Sequence, residues 1–503
     1  MTEPYPDLSP RAYAAGLIAV LSVAALLRAI YPAADPPWNP TVGIVWHDEG
    51  AWVHNARNRV LFGSWSQDAW NPIYIAPVFT GLEYLAFKAF GVGVRQARVV
   101  PELAGLLSVW LLALGVGRTA GRRAGLMAGV FLATNYMYVM WNRAALMEGP
   151  MVAMMVASWF CYVRAERDAR WGWGAGACAL LAFFTKASAA FFVAALALDA
   201  VITLVVRWKE SVRLKPDTTG RASAEQRRAA WITLIALAAF GALALALFVL
   251  PNWTEYRFYN WQMSVVRKPS YSVKALADRV TGFPLHDLFT RMWFILTLAC
   301  ASALGALARW RRIAPGERLL LLWVGLGCAE LILHDVGNER RFIFFIPALI
   351  ALASITLGRQ RTIVSTDVAE VPIGRAWWLL PAVLYGTYVV AAAIIRIAFL
   401  YEVRPNVRLA AAVAMIFTGL LYATWPLIPR ALSRNGWSPA AAMAIALLVS
   451  AGQMAQFVQW AAGRSYKNYE ASIAIGRRLP PGTLVHGKLA NGLALENGIR
   501  PIF

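Results

Sequence analysis

The stretch IVWHDEGAWVHNARNRVLFGSW, residues 44–65, sets two adjacent acids, Asp48 and Glu49, behind His47 and just past an apolar run at about 11–31. On a helix, Asp48, Trp52, Asn55 and Arg59 share one face. The bland reading is an N-cap, with Asp48 satisfying free backbone amides where the helix dipole also favours negative charge. Capping accounts for one acid and does not require a second beside a histidine. The rest of the chain decides what the pair is for.

Of the 503 residues, 59% are hydrophobic and 15% charged, too little polar surface for a soluble protein of this length. Apolar runs recur near the roughly 20 residues that span a bilayer core. Lipid offers no water to a bare backbone, so the expected class is an all-α polytopic membrane protein. A formal net charge of +21 could suit nucleic acid, but no soluble basic domain with interleaved aromatics is present. The charge reads instead as cytoplasmic loops under the positive-inside rule, part of it meeting lipid phosphates. Cys161, Cys178, Cys300 and Cys328 lie in or beside apolar runs without a CxxC pair, as buried small hydrophobes rather than metal or redox sites. The N-terminus MTEPYPDLSPRAYAAGL is acidic, unlike the basic start of a secretory signal. Cleavage near Ala33–Ala34 would leave Asp48 on the same side of the membrane.

About thirteen crossings are predicted, at 11–31, 98–117, 123–140, 150–165, 171–185, 187–206, 230–250, 288–308, 318–334, 342–358, 376–398, 408–427 and 439–460. The pair 171–185 and 187–206 also reads as re-entrant. IYIAPVFTGLEYLAFKAFG, 73–91, is placed as an interfacial helix in the first outer loop. If it spanned, Arg118, Arg122 and Arg123 would face outward. The loops then left inside are basic: 164–170, 207–228, 309–312 and 358–361. This puts the N-terminus in the cytoplasm and the C-terminus outside. KPDTTGRASAEQ, 215–226, reads as a solvated linker. Residues 1–460 form the transmembrane domain. Residues 461–503 read as a minimal or truncated outer α/β unit: a helix at ASIAIGRRL, a strand at TLVHG, a helix in LANGLALENG and a strand at RPIF. No internal repeat is apparent, which counts against a transporter built from repeated halves.

Three further stretches carry charge where the membrane makes it costly. In WNRAALMEGPM, 141–151, Glu148 precedes a crossing on the same face as Asp48, with Arg143 about one turn earlier; the bland reading is a charge anchoring the span. In LAFFTKASAAFF, 181–192, Lys186 stands between two short crossings. An unpaired ammonium there costs roughly 2.5–3.5 kcal/mol, so it must snorkel or meet an anion. In LHDVGNERRFIFFIPALI, 333–350, His334, Asp335, Glu339, Arg340 and Arg341 crowd an outer boundary. They make either a salt-bridged rim or a phosphate site. Loop 251–287 adds Arg257, Arg267, Lys268 and His286.

These residues carry a resemblance. DEGAWVHNARNRVLFGSW resembles the acidic first-loop motif of the GT-C superfamily, the polyprenyl-phosphate-sugar-dependent glycosyltransferases. It is similar to protein O-mannosyltransferases and, in layout, to lipid A aminoarabinose transferases. FGVGVRQARVVPELAG resembles the entry to that family's second crossing, RAALMEGPM its second-loop acid, LAFFTKASAAFF its leucine-threonine-lysine segment and RRFIFFIPALI its late arginine-aromatic helix. Each motif alone is weak; together, in order from about 40 to 350, they are specific. One departure stands out. Ile75, Ala76 and Pro77 replace a glutamate-lysine-proline whose glutamate is a metal ligand in the aminoarabinose transferases. The change counts against a bound metal and against an aminoarabinose substrate; a divalent metal, if present, would sit on Asp48 and Glu148.

The resemblance implies transfer of a sugar from a carrier such as undecaprenyl phosphate to an acceptor lipid, glycan or protein, at the periplasmic face of a bacterial inner membrane. The leaving phosphate needs no general acid, unlike the carboxylate pair of glycosidases. It needs cations, here Lys186, Arg340 and Arg341. The acceptor hydroxyl needs a base, Asp48, oriented by Glu49 or Glu148. His47, Arg143, Arg257 and His334 are secondary candidates. In-line displacement inverts the anomeric carbon. The rival readings are an outer-face ligase or polymerase using a diphosphate-linked donor, and a lipid or sugar transporter, which would place its charges at the membrane midplane.

Overall fold

A computed structural model describes residues 7–37, 45–211, 218–263, 272–275, 285–308, 310, 313–334, 339–358, 407–424, 439–487 and 489–502, with isolated positions between 380 and 391. The side chains of His47 and His334 lie outside the described residues, as do Arg267, Lys268, Asp335 and most of the crossing expected at 376–398.

The described residues are helical almost throughout. Helix α1 (Pro10–Ala29) starts as its sequence dictates: the Ser9 side chain accepts the Ala12 N–H at 3.2 Å and proline holds the first position. Helix α2 (Val45–Phe62) follows, then a 3₁₀ turn at Pro72–Tyr74 and α3 (Pro77–Phe90). Next come α4 (Val94–Ala120), α5 (Arg122–Thr134), α6 (Tyr136–Asn142), α7 (Glu148–Ala165), α8 (Trp171–Thr185) and α9 (Ala190–Ser211). Helix α10 (Thr218–Ala244) runs into a π turn at Leu245–Val249, followed by α11 (Trp253–Trp261), α12 (Leu285–Ala308) and α13 (Pro315–His334). A 3₁₀ segment, Glu339–Phe344, leads to α14 (Ile346–Gly358), α15 (Val407–Thr424), α16 (Pro439–Ala462) and α17 (Lys467–Arg478). Strands β1 (Leu484–His486) and β2 (Arg500–Ile502) pair in parallel, Leu484 opposite Arg500.

Among the described residues, five segments are long and apolar enough to cross a membrane: Pro10–Ala29, Val94–Ala120, Ala187–Val206, Ala224–Val249 and Ala442–Arg478. Trp171–Thr185, Phe294–Leu307, Ile346–Gly358 and Ala411–Leu420 are shorter apolar helices. Leu26, Leu198, Val205, Leu243 and Leu247 lie exposed on these surfaces, as lipid-facing side chains should. Helix α3 has 14 residues, about 21 Å at 1.5 Å per residue, short of the roughly 30 Å hydrocarbon core. At the centre stands α7, buried on nearly every side from Glu148 to Val163. Its Trp159 ring passes over Gly115, where a Cβ would lie 2.3 Å from the indole, and its Nε1 donates to the Gly316 carbonyl at 2.9 Å.

Four expectations need correction. The run 123–140 is two helices, because Asn135 takes an extended conformation and caps the second by accepting the Tyr138 N–H. The linker expected at 215–226 is helical from Thr218, and Glu225 accepts the Ala169 N–H at 2.8 Å, tying that first stretch to the loop before α8. The helix expected in 489–498 is a series of turns, in which Asn497 Nδ2 donates to the Leu493 and Ser472 carbonyls, both at 2.7 Å. Cys300 is exposed, whereas Cys161 is buried and Cys178 and Cys328 are half-buried.

The C-terminal segment seats directly on α2. Arg57, fully buried, donates to the carbonyls of Ala494, Asn497 and Ile499 at 2.8–3.0 Å. Glu496 accepts the Val94 N–H that opens α4, at 2.7 Å. Gly50 lets the Asn491 carbonyl approach so closely that a Cβ would lie 1.9 Å from it. Gly50→Ala therefore loses stability by about 1–3 kcal/mol of overpacking, more than the roughly 1 kcal/mol that alanine gains in a helix. Thermal unfolding of the purified protein checks this; a raised Tm would show that the C-terminal turns do not press on α2.

Candidate active site

Adjacent residues on a helix point about 100° apart, so Asp48 and Glu49 serve different partners. Glu49 turns inward. Its two oxygens accept from Arg98 Nε at 2.8 Å and Nη2 at 2.9 Å, and Oε1 also accepts the Ala145 N–H at 2.8 Å. Arg98 spends its remaining nitrogen on the Pro32 and Ala34 carbonyls, at 2.9 and 2.7 Å. The pair is buried and bidentate, and it joins α2, α4, the turn after α1 and the loop before α7.

Asp48 turns the other way. It lies in the first turn of α2, three residues inside the helix start, with its side chain 31% exposed and ion-paired to Arg340. Arg340 Nε stands 3.4 Å from Glu148 Oε1, and Lys186 Nζ stands 2.5 Å from the same oxygen. The four side chains thus run Asp48–Arg340–Glu148–Lys186, alternating in sign. Arg341 lies near enough for its charge to act on Lys186.

Local structure explains each placement. Glu148 is the first residue of α7, where the helix dipole favours an anion. Lys186 ends α8 in an extended conformation, its N–H bonded to the Ala182 carbonyl, and its ammonium lies 5.7 Å over the Phe344 ring. Arg340 and Phe344 share one 3₁₀ segment, so the cation and its aromatic neighbour arrive together. The loop beyond α2 is pinned by Asn55, which bonds the Trp65 carbonyl, Asn71 and the Ile73 N–H at 2.7–2.9 Å. On the same helix, His54 bonds Asp68 and Asn58 at 3.0 and 2.9 Å.

Two secondary candidates fall elsewhere. Arg143 is buried, donates to the Leu27, Arg28 and Tyr31 carbonyls at 2.7–2.9 Å and stacks 4.6 Å over Trp460. It closes the end of α1 and is not in the ion chain. Arg257 is exposed on α11. Conversely, Arg98 went unrecognised in the sequence. Its signal was present, since a second buried acid in one motif demands its own cation.

Among the described residues, the donor set does not fit a resident divalent metal. The carboxylates of Asp48 and Glu148 are engaged by Arg340 and Lys186, and among the described residues no three His, Cys, Asp or Glu side chains converge as ligands.

Residues 75–215, which include Glu148 and Lys186, match the family model for dolichyl-phosphate-mannose-protein mannosyltransferase. No curated protein matches the sequence. The fold is similar to that of ArnT from Cupriavidus metallidurans bound to undecaprenyl phosphate, with a TM-score of 0.56 at 16% identity over 98% of this chain and 86% of that one. It is also similar to arabinosyltransferase EmbB from Mycobacterium smegmatis, with a TM-score of 0.51 at 15% identity over 91% of this chain and 42% of that one. The helical architecture is thus shared with two solved membrane-protein folds, and residues 75–215 carry the mannosyltransferase family pattern.

Proposed function

We propose that this chain is an integral-membrane glycosyltransferase that moves a sugar from a polyprenyl-phosphate carrier to a hydroxyl acceptor, with inversion, at the periplasmic face of a bacterial inner membrane. The observation that carries the reading is the ion chain Asp48–Arg340–Glu148–Lys186. The similar fold of a protein bound to undecaprenyl phosphate supports the carrier class. The basic loops left inside by the crossing pattern support the orientation, with the N-terminus cytoplasmic and the C-terminus periplasmic.

The charges suit this donor. Lys186, Arg340 and Arg341 gather positive charge beside Asp48 and Glu148, as a glycosyl phosphodiester requires. As the acceptor oxygen bonds to the anomeric carbon, the carbon–oxygen bond to phosphate breaks and its electron pair leaves with the polyprenyl phosphate. The acceptor proton passes to Asp48. The second negative charge gained by the phosphate is thereby matched by the charge Asp48 loses. Phosphate bound at Arg340 also competes with Asp48 for that guanidinium, freeing the carboxylate to act as base. Glu148 holds both cations in place, and Glu49, saturated by Arg98, positions α2.

Lys186→Met weakens binding of undecaprenyl phosphate by about 30-fold or more, the effect of losing a charge-assisted contact of roughly 2–5 kcal/mol. Titration of the purified variant with that lipid checks it. Unchanged affinity in a folded variant would take Lys186 out of the donor site.

A further inference from the structure

Thr80 and Glu83 stand one turn apart on α3, and both are fully buried. Neither oxygen of Glu83, nor the hydroxyl of Thr80, has a hydrogen-bond partner among the described residues. Thr119, Thr134, Thr185 and Thr233 each donate to the carbonyl four residues back; Thr80 does not. Glu49, Glu148 and Asp199, three other buried acids, each pair with a cation. Glu83 instead has Glu49 as a like-charged neighbour, and burial first, then Glu49, push its carboxyl well above the ordinary range. Each buried polar group without a partner costs about 1–3 kcal/mol. Two of them on one helix face need a reason.

Their position supplies one. Helix α3 packs against α2, α4 and α8, which carry Asp48, carry Arg98 and end at Lys186 respectively. In the reaction proposed above, on which this inference rests, the sugar must lie between the attacking hydroxyl at Asp48 and the phosphate at Lys186 and Arg340. That places it between α2 and the end of α8, alongside α3. We propose that Thr80 and Glu83 form the wall that binds the hydroxyls of the transferred sugar. A protonated carboxyl offers one donor and one acceptor, and the threonine hydroxyl offers both again, the pairing a vicinal diol requires.

The test uses the full-length protein in proteoliposomes with a panel of undecaprenyl-phosphoryl sugars, and free undecaprenyl phosphate as the sugarless probe. For Glu83→Leu the expected result is a Tm equal to or above wild type, unchanged affinity for undecaprenyl phosphate, and kcat/KM for sugar transfer lower by about 10- to 100-fold. Thr80→Val follows the same pattern more weakly, and Glu83→Gln, which keeps a donor and an acceptor, recovers part of the loss. A lowered Tm for Glu83→Leu would make the residue a scaffold element and overturn the subsite. Unchanged transfer at an unchanged or raised Tm would overturn it too. A wild-type protein that moves no sugar from any of these donors would instead overturn the reaction, and the subsite with it.

Discussion

Asp48→Asn lowers sugar transfer by about 10²- to 10⁴-fold, the range for loss of a positioned general base. The substitution keeps the shape of the side chain and removes its charge. Because Asp48 is part-exposed at the end of the ion chain, the fold should survive, and the membrane should hold as much protein as in wild type. Affinity for undecaprenyl phosphate stays the same or tightens, since Arg340 loses its competing carboxylate. That combination separates a base from a scaffold residue: turnover falls while carrier binding does not. Near-wild-type turnover in Asp48→Asn would remove the residue from the chemistry.

Arg98→Met is the most destabilising change expected. It strands Glu49, whose two oxygens rely on Arg98 and on a single backbone amide. Breaking one side of a buried ion pair costs about 3–5 kcal/mol, against the roughly 5–15 kcal/mol that holds a typical domain folded. Arg98→Met with Glu49→Leu removes both charges and should recover most of the loss, because burying two apolar groups of similar size is often neutral. Thermal unfolding of the single and double variants decides it. If the single variant unfolds within about 1 kcal/mol of wild type, the Glu49–Arg98 pair does not anchor α2.

What the sequence disclosed follows from range. Charges that lipid penalises stand out in a linear reading, which is how Asp48, Glu148, Lys186 and Arg340 were found, and the structure places them in one chain of contacts. Their pairing was not legible, because it depends on which way each helix turns. Glu49, one of two acids read as orienting the acceptor or the base, pairs with Arg98, and Arg143 faces the carbonyls that end α1. Local punctuation misled where a single residue outweighs a pattern: Asn135 breaks an apolar run with no Gly or Pro beside the break to mark it. Glu225 fastens a polar stretch that reads as linker. The strands of the C-terminal segment were legible from their β-branched and apolar residues. Its grip on α2 through Arg57 was not, since the partners are backbone carbonyls more than 430 residues away.

In the proposed reaction a monophosphate carrier leaves from Lys186 and Arg340. The direct measurement is turnover in proteoliposomes given matched donors, the same sugar on undecaprenyl phosphate and on undecaprenyl diphosphate, with the released lipid and the anomeric configuration of the product identified by mass spectrometry and NMR. The expected result is turnover with the monophosphate donor alone, release of undecaprenyl phosphate in equal amount to transferred sugar, and an inverted linkage. Turnover with the diphosphate donor alone, or a retained linkage, would contradict it.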